Sequence, residues 1–124
     1  MTRRVTVDLT APILLNMTIR AGKGGTLRFT IELNGVALNL TGGTAKYYAD
    51  FATPIIKTEG AGVVFTNPAA GQGEIRFYRT DTAGQNTAQT ASHEFAVAVA
   101  GGEPMMVFEG TVILEESLFV TDLT

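Results

Sequence analysis

Thr26-Leu-Arg-Phe-Thr-Ile-Glu-Leu33 is the stretch that decides the fold. Leu27, Phe29, Ile31 and Leu33 fall on one side of an extended chain, and Arg28, Thr30 and Glu32 on the other. Unbroken alternation is the signature of a strand with one buried face, because successive side chains of an extended backbone point in opposite directions. Asn34-Gly35 follows at once. Both residue types tolerate positive φ, so a tight turn into Val36-Ala-Leu38 is expected.

The same pattern extends to both sides. Ile13, Leu15, Met17 and Ile19 alternate with Asn16, Thr18 and Arg20, and Ala45, Tyr47, Ala49 and Phe51 alternate with Lys46, Tyr48 and Asp50. Val63-Val-Phe-Thr66 ends at the turn signal Asn67-Pro68, and Gly71-Gln-Gly73 leads into Glu74–Arg79 with Ile75 and Phe77 inward. Phe95, Val97 and Val99 share a face, and Gly101-Gly-Glu-Pro104 closes a hairpin into Met105–Leu114. In that last segment Met106, Phe108, Val112 and Leu114 form the inward set, with Gly110 between them. Helical periodicity is confined to a single turn near Thr80–Gly84, and the small polar residues Gly84–Ser92 read as a mobile loop. About 7–8 short strands at roughly ten-residue spacing imply an all-β, antiparallel sandwich or barrel.

With 124 residues the chain forms one domain over 1–124, in which residues 1–16 are expected to be peripheral. Hydrophobic residues make up 45% and charged residues 17%, enough for a real core and unlike a disordered chain. Without cysteine there is no disulfide, thiolate ligand or thiol nucleophile, and with one histidine, His93, zinc chemistry is not expected. A net charge of −3 argues against nucleic acid as a partner. No apolar run approaches the roughly 20 residues of a membrane helix. Ala11-Pro-Ile-Leu-Leu15 is too short for the core of a signal peptide, so no leader is expected. The sequons Asn16-Met17-Thr18 and Asn39-Leu40-Thr41 are then chance matches.

Candidate chemical groups have plain readings. Gly22-Lys-Gly-Gly25 lacks the Ser/Thr ending and the following helix of a phosphate loop, so it reads as a turn. His93 has inward parity and Ser92, next to it, points to the opposite face, which opposes a Ser–His pair. Glu115 and Glu116 likewise diverge and form no catalytic dyad. No catalytic residue, cofactor or metal site is expected. Tyr48 and Tyr78 have outward parity, and a groove bearing both would suit a carbohydrate. Met105, Val107 and Ile113 make the last strand apolar on its outer face as well, which implies a covered or partner-binding surface and an assembly component, with a homo-oligomer as one form of it.

Three pieces taken in order carry a family resemblance: Met17–Leu33 with its glycine turn, Asn34-Gly-Val-Ala-Leu-Asn-Leu-Thr-Gly42 followed by Ala45–Phe51, and Glu94–Val99 with Val107-Phe-Glu-Gly-Thr-Val-Ile-Leu114. Together they resemble the immunoglobulin-like N-terminal domain of phage baseplate upper proteins and the small phage tail proteins related to it. In that family the middle piece commonly reads dGxPxDLTG and the late hairpin carries xGxV. Here Asn39 stands for the usual aspartate, Ala37 for the proline and His93 for a frequent aromatic. The resemblance spans about Met17 to Leu114. It implies an immunoglobulin-like sandwich, no enzymatic activity, and a tail or baseplate assembly role in the virion with other tail or baseplate proteins as partners. Any receptor-binding region would lie on another protein. A carbohydrate- or cell-surface-binding module is the alternative. At Asn39–Gly42, Leu40 is expected to enter the core while Asn39 and Thr41 bond nearby backbone.

Overall fold

A computed structural model describes residues 2–82, 84–85 and 87–116. Among them the chain forms β1 (Thr2–Asp8), β2 (Ile13–Leu14), β3 (Met17–Arg20), β4 (Gly25–Leu33), β5 (Val36–Ala37), β6 (Thr44–Ala49), β7 (Ile55–Glu59), β8 (Gly62–Asn67), β9 (Gln72–Phe77), β10 (Gln89–Ala98) and β11 (Met105–Glu115). Two single 3-10 turns, Pro68–Ala70 and Arg79–Thr82, complete the regular structure.

All eleven strands join one sheet in the order β1-β4-β9-β8-β7-β6-β10-β11-β2, with β3 also on β11 and β5 on β4. The sheet curls until its ends nearly meet. Across the remaining gap the Arg3 guanidinium of β1 donates to the carbonyl of Asn16, between β2 and β3, at 2.7 Å. The structure is therefore all-β, but it corrects the expected antiparallel sandwich of about 7–8 strands. The sheet is mixed and nearly closed into a barrel, for β1 runs parallel to β4 and both β2 and β3 run parallel to β11. The reason lies in the path of the chain. After β1 it crosses to the far end of the sheet, lays β2 and β3 along β11, and returns to form β4 beside β1. Alternation reports which side chains are buried and is silent on strand direction.

Within the stretch expected to be peripheral, the described residues 2–16 join the sheet and the core. From Thr2 to Asp8, β1 matches β4 from Thr26 to Glu32 residue for residue, and Val7 is buried in the core. Nor do the described residues of 84–92 form a free loop. Gln89–Ser92 already belong to β10, and the buried Gln85 side chain accepts from the Thr53 amide at 3.1 Å and donates to the Thr53 carbonyl at 3.2 Å. The β6–β7 connection is thus tied to the segment before β10.

The decisive stretch behaves as its pattern implies as far as Ile31; Leu33, expected inward, is 39% exposed because β4 ends there at the hairpin turn, beyond the core. Leu27, Phe29 and Ile31 are buried, and Phe29 meets Phe95 of β10 across the interior with ring centroids 5.0 Å apart. Tyr47 of β6 packs edge-on against Phe77 of β9 at 5.3 Å. Such ring pairs add about 0.5–1.5 kcal/mol each beyond the area they bury. At the end of β4, Asn34 and Gly35 both take positive φ, 53° and 77°, the requirement of a two-residue hairpin turn. The Asp8 carboxylate caps this turn, accepting from the Asn34 amide at 3.1 Å and the Gly35 amide at 2.7 Å. Leu40 is fully buried, and Asn39 Oδ1 accepts from the Thr41 amide at 3.0 Å, the corner expected there.

Candidate functional site

The outer side of β6, β10 and β11 gathers the polar and apolar groups with the most to offer a partner. Strand pairing sets Ile56, Tyr48, Glu94, Glu109 and Leu14 in one row across five strands. Leu14 is 73% exposed, the most exposed large apolar residue among those described. Tyr48, Asp50, Ser92, Glu94 and Glu109 join Leu14 around a groove of about 520 Å³. The Tyr48 hydroxyl points toward Asp50 Oδ1 at 3.4 Å. Glu94 and Glu109 stand directly opposite each other in the antiparallel pair, and neither forms an ion pair among the described residues.

Beneath this face lies the one histidine, on β10 with inward parity. His93 Nε2 is 2.6 Å from the Leu15 carbonyl oxygen and Nδ1 is 2.8 Å from the Tyr47 hydroxyl. A carbonyl only accepts, so Nε2 carries the hydrogen, and the Tyr47 hydroxyl then donates to Nδ1. That arrangement holds a neutral imidazole. Burial pushes the His93 pKa below its ordinary value, partly opposed by the Leu15 carbonyl, and burial pushes the Tyr47 hydroxyl well up. Both ring nitrogens are engaged by the protein, and Ser92 is exposed on the opposite face. Gly110, the cross-strand partner of His93, lets β2 approach, because a Cβ there would collide with the backbone of Leu15.

The residues singled out on the last strand do not form one surface. Ile113 is 42% exposed and Met105 is half-buried, but Val107 is 0% exposed, which corrects its place in an outward-facing patch. A β-bulge is the cause. Between Phe95 and Ala96 the register steps from Phe108 to Met106, so Val107 is the extra residue and both it and Phe108 turn inward. Tyr48 lines the groove whereas Tyr78, 48% exposed, lies elsewhere under the Lys57 ammonium, 4.5 Å from its ring centroid. The two tyrosines share no ring contact among the described residues.

Lys57 escaped the sequence reading. It is buried, with Nζ 2.6 Å from Asp81 Oδ2, and this pair fixes the 3-10 turn Arg79–Thr82 to β7. The available signal was its parity with Ile55, two residues earlier on the same inward face. No group of three or more His, Asp or Glu residues among those described is placed to hold a metal ion. None of the described helical segments is long and apolar enough to cross a membrane.

No protein-family model and no curated protein sequence matches the chain. Among solved structures, the N-terminal domain of phage TP901-1 ORF48 superimposes with a TM-score of 0.62, covering 94% of this chain and 100% of that one. The two share a fold. Sequence identity is 14%, so the TP901-1 likeness speaks for the path of the strands and not for individual side chains. It extends over the whole of the phage domain.

Proposed function

We propose that this chain is a non-enzymatic structural component of a phage or prophage virion, a tail or baseplate module that works through protein–protein contacts. The observation that carries the reading is the fold likeness to a phage domain along that domain's full length. The resemblance of Asn34–Gly42 and the late hairpin to the immunoglobulin-like N-terminal domains of phage baseplate upper proteins supports it independently. The engagement of both His93 nitrogens by Tyr47 and Leu15 supports a role without catalysis. In this reading the partners are other tail or baseplate proteins, and the protein acts in the virion after synthesis in the host cytoplasm. The carbohydrate alternative asks for Tyr48 and Tyr78 in one groove, and only Tyr48 lines it.

Co-expression with the other virion proteins of the same phage tests the proposal. Co-purification with a tail or baseplate protein at fixed stoichiometry is the expected result. Failure to bind any of them, with the domain folded, would overturn it.

A further inference from the structure

Two sides of the barrel carry opposite charge in matching geometry. Phe29 of β4 and Phe95 of β10 meet in the core, so their chain neighbours Arg28 and Glu94 project from opposite sides of the molecule. On the first side Arg4 stands directly opposite Arg28 in the parallel β1–β4 pair, and Arg76 lies nearby on β9. Arg28 and Arg76 share a single carboxylate, Glu74, at 3.7 Å and 3.1 Å, while Arg4 makes no ion pair among the described residues. On the second side Glu94 stands directly opposite Glu109, with Asp50 in the same groove and one lysine, Lys46, on the flank.

Like charges directly opposite on neighbouring strands destabilise an isolated sheet. Here each side has such a pair, and the signs are opposite. Both pairs sit on adjacent strands, one parallel and one antiparallel, and so are set apart by about the same distance, the roughly 4.7–4.9 Å between neighbouring strands. Laid face to face, the two arginines of one copy meet the two glutamates of another in register. The exposed Leu14, at the end of the acidic row, supplies apolar area to the same contact.

We infer that the chain associates with itself head to tail, the Arg4–Arg28 face of one copy seating on the Glu94–Glu109 face of the next. The contact is heterologous, so each copy keeps one face of each kind free and assembly continues past two. The inference goes beyond the virion role proposed above and does not depend on it.

Sedimentation velocity of the whole chain, at concentrations up to ~1 mM, tests it. Species larger than a dimer are expected at low ionic strength. They should dissociate as salt is raised from about 0.01 M to about 1 M, which shortens the screening length from roughly 30 Å to roughly 3 Å. The paired substitutions Glu94→Lys with Glu109→Lys, and Arg4→Glu with Arg28→Glu, should each lower the association constant by about a hundredfold or more, because like charges then face each other. Mixing the two variants restores complementarity at every contact and should restore assembly. A circular dichroism melt reports folding, and Arg4→Glu alone replaces the arginine double variant should that one unfold. A wild-type monomer throughout the range, assembly that stops at two, assembly indifferent to salt, or a mixture no more associated than its parts would each overturn the inference.

Discussion

The Tyr47 hydroxyl and His93 Nδ1 lie 2.8 Å apart in the core, although 46 residues separate them along the chain. The bond joins β6 to β10, and the other imidazole nitrogen joins β10 to the Leu15 carbonyl beside β2. One neutral ring thus ties three parts of the sheet together where the barrel closes.

This geometry makes stability depend on pH in a defined direction. The folded-state pKa of His93 is lowered from 6.5, so as pH falls the unfolded chain takes up a proton before the folded one does. The contribution of His93 is therefore fully present above about pH 6.5 and declines as pH falls through the lowered folded value. Thermal melts on the acid side of neutrality should show a falling Tm. His93→Phe removes the titrating group and should flatten that slope, whatever it does to stability at neutral pH.

Tyr47→Phe deletes the donor and leaves Nδ1 buried without a partner. Urea denaturation should show a loss of about 1–3 kcal/mol, the penalty for a buried unsatisfied polar atom.

The Lys57–Asp81 pair behaves asymmetrically. Lys57 is buried whereas Asp81 keeps some contact with water, its side chain 17% exposed. Asp81→Asn strands a buried ammonium and should cost about 3–5 kcal/mol. Lys57→Met keeps the volume, removes the charge and leaves a carboxylate that water and the Tyr78 amide can still serve, so the loss should be smaller. Comparing the two denaturation midpoints checks the order.

Two glycines separate conformational strain from collision. Around Gly35 there is open space, so Gly35→Ala meets only the left-handed backbone penalty of about 1–2 kcal/mol. Gly110→Ala drives a methyl group into the Leu15 backbone, which is the His93 acceptor. Denaturation should show the larger loss at Gly110.

Asp8 gives a second acid-sensitive feature. Hydrogen bonds from the Thr10 amide and hydroxyl and from the Gly35 amide, with a smaller one from Asn34, lower its pKa from 3.8 to about 2. Its contribution is present above pH 3.8 and lost as pH falls through about 2. Asp8→Ala should loosen the Asn34–Gly35 turn, seen as faster amide exchange there.

Much of the fold was legible in residues whose side chains alternate. Thr26–Ile31, Tyr47 against Tyr48, and Phe95 against Glu94 show their faces directly, and Asn34-Gly35 shows its turn. Leu40 announced itself by standing alone among turn residues. Strand direction was not legible, because Val5 and Val7 alternate in the same way beside a parallel or an antiparallel neighbour. Val107 was misplaced because a bulge breaks period two without any local sequence mark. Lys57 and Gln85 were missed because their partners, Asp81 and Thr53, become neighbours only through the sheet order. The opposition of Glu94 to Glu109 needs the β10–β11 register, which neither strand specifies alone.

Quantitative mass spectrometry of purified virions from the encoding phage tests whether this chain is a structural part of the particle, as proposed. Peptides from this chain are expected at a fixed ratio to the known structural proteins, retained through gradient purification. A chain abundant in the infected-cell lysate yet absent from the purified particles would contradict it.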